Sequence, residues 1–172
     1  MNYSDFFNIS PYQWHSIITA IICGGVIGFE RQVRGKPVGI RTASLITLGT
    51  YLFMTTSATM GLENTDPSRV LGQIITGIGF LGAGVMLARD GAVVGVTSAA
   101  TIWVLAAIGA MIGTNNLVAG VKVSILVVGI LYGVDLLEKH IKMLSRGVHA
   151  SIRNLHRKDL PFREEVQNER KD

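Results

Sequence analysis

The chain has 172 residues, of which 48% are hydrophobic and 16% charged, and its mean hydropathy is positive. A soluble domain of this length does not carry several uncharged runs of nearly 20 residues, so the composition indicates a membrane protein. A single cysteine, Cys23, excludes an internal disulfide.

The first predicted membrane span begins at Ser10-Pro11 and runs to Phe29. Serine suits a helix N-cap and proline suits the first helical turn. Gly24 and Gly28 form a small-xxx-small pair, which favours close approach of a second helix. The first ten residues contain no basic segment, so a cleaved signal peptide is not expected.

The first connection, residues 30–41, contains four basic residues against one acid and is broken by Gly35, Pro37 and Gly39. The second span runs from Thr42 to about Met60 and is rich in hydroxyl groups. These are Thr42, Thr47, Thr50, Thr55, Thr56, Ser57 and Thr59. Such groups either bond to backbone carbonyls and neighbouring helices or line a polar conduit.

The third span, Val70 to Ala88, is a run of nineteen uncharged residues preceded by an Asp66-Pro67 helix start. Its small residues fall on two nearly opposite helix faces, which predicts neighbours on two sides and a central position in a compact bundle. The glycines expected to pack against neighbours are Gly72, Gly77, Gly79, Gly82 and Gly84.

Residues 77–82 also match the G-x-G-x-x-G pattern of dinucleotide-binding loops. That interpretation requires a strand before the pattern and an acidic residue about 20 positions after it. Here the pattern lies inside an apolar span, and the next acid, Asp90, comes too early. The sequence therefore predicts no nucleotide site.

Arg89-Asp90-Gly91 is a turn signal, and Gly95 begins a fourth span that runs to about Ile112. The fifth span runs from Leu117 to about Leu137. Gly-xxx-Gly pairs lie at Gly109/Gly113 and Gly129/Gly133. We therefore predict an all-α, polytopic membrane protein with five transmembrane helices packed through glycine and other small-residue faces.

Residues 138–172 form a separate basic tail after the transmembrane domain, residues 1–137. Apolar residues recur every three or four positions from Leu137 to Leu155, with basic residues between them, which predicts an amphipathic cytoplasmic helix. After Pro161 the chain is highly charged, and we expect a disordered end.

Charge predicts the orientation of the five spans. Fourteen of the sixteen Lys and Arg residues lie in the first connection, at Arg89 or in the tail; only Arg69 and Lys122 lie near the opposite face. By the positive-inside rule the N-terminus is outside and the tail is cytoplasmic. The net charge of +4 thus reflects orientation, and no nucleic-acid partner is predicted.

Charged residues at the predicted cytoplasmic helix ends are the candidate functional cluster: Glu30, Arg31, Arg41 and Asp90, with Thr42 beside them. One interpretation is a set of paired charges, Glu30 with Arg41 and Arg31 or Arg89 with Asp90. The other is a cation or effector site, because Mg²⁺ prefers carboxylate oxygens, which makes Glu30 and Asp90 the candidate ligands. No zinc cluster, activated nucleophile or P-loop is present, so we predict neither an enzyme nor a bound cofactor.

Several motifs together resemble the MgtC/SapB family across about residues 17–137, in order through all five spans. They are Gly28-Phe-Glu30-Arg31-Gln32, Gly39-Ile-Arg41-Thr42, Asp66-Pro-Ser-Arg69, the glycine-rich run from Gly77 to Gly84, and Gly95-Val-Thr97 through Trp103. The family motifs correspond to these positions of the chain: Glu30, Arg31, Arg41, Thr42, Arg69, Thr97, Trp103 and the glycines of the third span. The resemblance implies that they are functionally important.

The resemblance implies a bacterial inner-membrane protein linked to adaptation to low magnesium and to virulence. It implies a regulator that acts on membrane partners, including the ATP synthase, with transport of Mg²⁺ as a second proposal. Longer members carry a soluble domain after the last span, so a regulatory role of that domain is not expected of the tail seen here.

Three hypotheses follow. The first is a non-enzymatic membrane regulator that forms a homo-oligomer and contacts membrane lipids and protein partners. The second is a cation channel or transporter that uses the hydroxyl-rich second span and the Glu30/Asp90 end. The third is a sensor of the lipid surface that uses the tail helix.

Overall fold

The computed structural model describes residues 7–59, 67–89 and 92–140. Within these ranges the chain forms five long helices and one short hairpin, in the order α1 (Trp14–Val33), α2 (Ile40–Thr59), α3 (Pro67–Gly84), β1 (Leu87–Arg89), β2 (Ala92–Val94), α4 (Val96–Gly113) and α5 (Leu117–His140). The strands β1 and β2 pair antiparallel, with Ala88 opposite Val93. The predicted all-helical architecture is confirmed for this part of the chain.

Three of these helices are long and apolar enough to cross a membrane: Trp14–Val33, Val96–Gly113 and Leu117–Leu137. The sequence predicts five such spans. The helices α2 and α3, which have 20 and 18 residues, have the length of a span, but polar side chains lower their mean hydropathy. In α2 these are the hydroxyls, and in α3 they include Arg69 and Gln73.

The central helix of the bundle is α4, which contacts all four other helices. The prediction that α3 lies at the centre is wrong for the single chain, because α3 contacts only α2 and α4 extensively and exposes most of its surface. An apolar residue faces every direction around α4, as expected for a helix surrounded by others. The fully buried side chains Leu105, Ile108 and Ile112 of α4 form the middle of the core.

Glycines allow α1 and α2 to approach closely. A Cβ atom on Gly24 would lie 2.6 Å from the carbonyl oxygen of Ala43, and one on Gly28 would lie 2.6 Å from Cα of Ile40. Real Cβ atoms do not approach other heavy atoms so closely, so the α1–α2 contact depends on these two residues.

The helix α3 ends at Gly84, so the prediction of helix up to Ala88 is wrong. The chain instead turns into β1, and the return strand β2 leads to Gly95, which has φ 92. A side chain at Gly95 would collide with the carbonyl oxygen of Val85. Only glycine adopts this conformation without strain, which explains the residue type at position 95. The helix α4 begins directly after Gly95, as predicted.

The last helix, α5, continues to His140, three residues beyond the predicted end at Leu137. Asp90 and Gly91 of the predicted turn lie outside the described residues, as do residues 141–172 with the rest of the predicted tail helix.

Candidate functional site

The last turn of α1 and the residue that follows it carry three charged side chains, Glu30, Arg31 and Arg34. Residues four apart share one face of a helix, so Glu30 and Arg34 are neighbours, whereas Arg31 points about 100° away from Glu30. The two arginines therefore contact different helices.

Arg31 is turned into the bundle and is only 4% exposed. Its Nη2 donates a hydrogen bond of 2.6 Å to Oγ of Ser98, in the first turn of α4. Its Nε donates a second, of 3.3 Å, to the carbonyl oxygen of Pro37 in the connection to α2. Burying a guanidinium costs free energy unless its N–H groups find acceptors. The buried position of Arg31 therefore depends on both hydrogen bonds.

Arg34 joins α1 to α5. Its Nε lies 2.6 Å from Oε1 of Glu30, its Nη1 forms an ion pair with Oδ2 of Asp135, and its guanidinium carbon lies 5.2 Å from the ring centre of Tyr132. Planar stacking and two-sided pairing are the contacts for which arginine is better suited than lysine. We call Glu30, Arg31, Arg34, Ser98, Tyr132 and Asp135 the charged cluster.

One buried oxygen of the charged cluster has no hydrogen-bond partner among the described residues. This atom is Oε2, the second carboxylate oxygen of Glu30. Buried polar atoms are almost always paired, so this oxygen is where a proton, a water molecule or a cation would bind.

The structure gives Glu30 and Arg31 partners other than those considered from the sequence. Glu30 pairs with Arg34, while Arg41 lies exposed in the first turn of α2 with no ion pair in the described part of the chain. Thr42 is also exposed. Asp90, the remaining member of the predicted cluster, lies outside the described residues.

Sequence reasoning missed Arg34, Ser98 and Tyr132. The four-residue spacing of Glu30 and Arg34 was a usable signal, because such pairs commonly interact on a helix. Ser98 lies 67 positions from Arg31, and a serine in an apolar helix gives no indication of a charged partner.

The predicted packing glycines fall into two groups. Gly24 and Gly28 contact α2, and a Cβ atom on Gly82 would lie 3.6 Å from Cβ of Ala99 in α4. A Cβ atom on the others of α3 would meet no heavy atom of the described residues within 4 Å: Gly72, Gly77, Gly79 and Gly84. The remaining family-motif residues, Arg69, Thr97 and Trp103, are exposed.

The hydroxyl groups of α2 largely bond to their own helix. Thr47 donates to the carbonyl of Ala43, Thr56 to that of Leu52, and Ser57 to that of Met54. Thr56 also hydrogen-bonds to the hydroxyl of Tyr12, at 2.8 Å. Hydroxyls that bond to their own helix need no polar neighbour, which favours the backbone-bonding interpretation over a continuous polar conduit. Thr55 is different, since its buried Oγ1 has no partner among the described residues.

The described side chains include no group of three or more His, Cys, Asp and Glu that could hold a metal ion. Arg34 pairs with both Glu30 and Asp135. Its positive charge therefore lies between the two carboxylates, where a metal ion would have to bind to be shared by them. The charged cluster is therefore arranged to join helices, and Glu30 Oε2 is its one buried acceptor without a hydrogen-bond partner in the described part of the chain.

Comparison with known proteins gives the family. A protein-family model described as "MgtC family" matches residues 17–140. A "Putative magnesium transporter YhiD" of Escherichia coli (strain K12) is 46% identical over 117 residues, which cover 64% of this chain and 54% of that protein. No solved structure matches.

Two further relatives are named "Protein MgtC". The one from Brucella abortus (strain 2308) is 42% identical over 96 residues, covering 56% of this chain and 40% of that protein. The one from Salmonella typhimurium (strain 14028s / SGSC 2262) is 39% identical over 101 residues, covering 59% and 43%. The chain thus spans about half the length of the curated relatives it matches.

Proposed function

This chain belongs to the MgtC family, and we propose that it is a non-enzymatic regulator of the bacterial inner membrane that acts through contacts with membrane partners. Its role is in adaptation to low magnesium and, in a pathogen, in virulence. The partners are a second copy of the chain and another membrane protein, for which the family resemblance points to the ATP synthase.

The open glycine face of α3 is the observation that carries this proposal. Gly72 and Gly79 lie one above the other on α3, and within the described ranges neither has a heavy atom of another element within 4 Å of its Cβ position. Beside them Phe80 is 82% exposed. Small residues flanked by a large apolar side chain form the surface against which a second transmembrane helix packs most closely.

We propose a topology of five spans with the N-terminus outside and the tail in the cytoplasm. The helices α2 and α3 are long enough for this role at 1.5 Å per residue, since their 20 and 18 residues give about 30 and 27 Å. Their polar groups are compatible with it because the buried hydroxyls of Thr47 and Ser57 in α2 bond to carbonyls of their own helix.

A photo-crosslinking phenylalanine analogue at Phe80 tests whether the open glycine face of α3, which we call the partner surface, binds a protein in native membranes. We expect it to form a crosslinked protein adduct, either with a second copy or with another membrane protein. Adding Gly79→Leu should abolish the adduct, because the larger side chain keeps the two helices apart.

The matched control places the same analogue at Leu126, an exposed residue of α5. We expect only lipid adducts there. Lipid adducts alone at both positions, or a protein adduct that is indifferent to Gly79→Leu, would contradict the partner surface.

A cation channel or transporter is the second candidate function. It is favoured by Oε2 of Glu30, which is buried and has no partner among the described residues, and by the name of the Escherichia coli relative, a putative magnesium transporter. In this case Glu30 would bind the cation during passage, and Glu30→Gln would abolish flux of Mg²⁺ into liposomes.

A further inference from the structure

An apolar groove of about 640 Å³ lies between α2 and α3. On α2 it extends from Thr42 to Phe53, and on α3 from Val70 to Leu81, with Gly49 and Gly77 among its lining residues. Its volume is within the range of about 300–1,000 Å³ that is usual for ligand sites in proteins.

The length of the groove matches one leaflet of a bilayer. Eleven helical steps separate its two ends on either helix, which at 1.5 Å per residue gives about 16 Å. The hydrocarbon core is about 30 Å thick, so each leaflet contributes about 15 Å. A transmembrane helix of a partner would run past both ends of the groove, whereas an acyl chain would fill it.

The two ends of the groove differ in charge. At the Thr42 end, Arg41 directly precedes Thr42 in α2 and Lys36 lies in the connection before that helix; both are exposed and make no ion pair in the described part of the chain. At the other end, Arg69 is preceded in the sequence by two acids, Glu63 and Asp66. The end at Thr42 is therefore the one that attracts an anion.

We propose that this groove binds one anionic phospholipid, with its acyl chain between α2 and α3 and its phosphate near Arg41 and the hydroxyl of Thr42. The proposal is independent of the partner surface on Gly72 and Gly79, neither of which lines the groove. The chain's own tail, residues 138–172, carries more basic than acidic residues and would be repelled by the basic end.

The test is to reconstitute the full chain in nanodiscs of phosphatidylcholine with a minority of phosphatidylglycerol and to count retained lipids by native mass spectrometry. We expect the wild type to retain phosphatidylglycerol preferentially. Arg41→Gln should reduce this preference about fivefold, the effect of one basic side chain at a membrane surface.

Gly77→Leu should reduce the retention of both lipids, because its side chain would occupy the groove. No heavy atom of the described part of the chain lies within 4 Å of that Cβ position, and leucine is a better helix former than glycine, so this variant should fold. Gly129→Leu on α5 is the matched control, since that glycine also has no neighbour within 4 Å and does not line the groove. It should retain lipids as the wild type does.

Four results would overturn the proposal. One is equal retention of the two lipids by the wild type, and another is unchanged retention in Gly77→Leu. A third is loss of the preference in Arg69→Gln instead of Arg41→Gln, which would place the headgroup at the opposite end. The fourth is a change of oligomer mass in Gly77→Leu without loss of lipid, which would identify a second copy as the occupant.

Discussion

Arg31 is almost fully buried, and its contacts show how one charged side chain can fix the positions of neighbouring segments. The guanidinium donates to Ser98 and to the carbonyl of Pro37, and the carboxylate of Glu30 acts on it electrostatically. Directly after Pro37, the buried residue Val38 has φ 68, an unusual conformation for a β-branched side chain. We infer that Arg31 holds this strained connection in place and fixes the end of α1 against α4.

Ser98→Ala tests this role at the scale of one hydrogen bond. We expect it to lower the free energy of unfolding by about 1–3 kcal/mol, because the buried guanidinium keeps its charge and loses an acceptor. The measurement is an SDS titration in mixed micelles. Thr114→Ala is the control, since that exposed hydroxyl bonds only to carbonyls of its own helix end; equal losses in the two variants would contradict the role of Arg31.

For the site residues, the sequence contains a signal for contacts between residues close together in the chain but none for contacts between residues far apart in it. Glu30 and Arg31 were identified as candidates, but Glu30 was paired with Arg41, although its four-residue spacing from Arg34 was the signal for the pair that the structure shows. The contacts of Arg31 with Ser98 and of Arg34 with Asp135 depend on how three helices pack together. No local pattern encodes that packing.

At the scale of the helices, the same small-residue pattern has two different outcomes. Gly24 and Gly28 contact α2, and Gly109 contacts α2 from α4. In the part of the chain that the structure describes, Gly129 and Gly133 of α5 have no neighbour within 4 Å of their Cβ positions. The pattern shows that a helix has a flat face. It does not show whether that face meets a helix of the same chain, a partner or lipid.

Gly109→Ala and Gly129→Ala form a matched pair that tests these assignments. A Cβ atom on Gly109 would collide with the carbonyl oxygen of Thr47 and lie 2.7 Å from Cβ of Thr50. We expect Gly109→Ala to lower the free energy of unfolding by about 1–3 kcal/mol through overpacking. Gly129→Ala should raise it by up to about 1 kcal/mol, because alanine favours the helix. The same SDS titration measures both, and similar changes in the two variants would refute the predicted difference.

The ion pair between Arg34 and Asp135 joins the ends of α1 and α5, and Arg34→Gln tests this connection. We expect faster hydrogen exchange of the backbone amides in residues 131–137, since the last turns of α5 lose the group that holds them to α1. Lys122→Gln, an exposed position in the first two turns of the same helix, is the control and should leave exchange in residues 131–137 unchanged. Exchange that is equally slow in Arg34→Gln would show that the ion pair is not what holds α5.

For the whole molecule, composition and charge predicted a helical membrane protein but could not arrange its helices. A mean hydropathy averages around a helix, so it does not distinguish the hydroxyls of α2 that bond internally from those that face water. The central helix, α4, is apolar on all sides and so carries no indication of which neighbours surround it. Many glycines on α3 suggested a buried helix, but among the described residues only Gly82 packs against a neighbouring helix, and Gly72, Gly77, Gly79 and Gly84 have no heavy atom within 4 Å of their Cβ positions.

The central claim is that this bundle works through partners and does not conduct ions. The most direct test is Mg²⁺ entry into liposomes that contain the purified full chain and a magnesium-sensitive dye, under an inside-negative potential. Asp135→Asn is measured beside Glu30→Gln, because it disturbs the same arginine without removing the carboxylate that has the unpaired oxygen. We predict entry no faster than in empty liposomes. Entry well above that level, abolished by Glu30→Gln and retained in Asp135→Asn, would contradict the claim and identify Glu30 as a cation site.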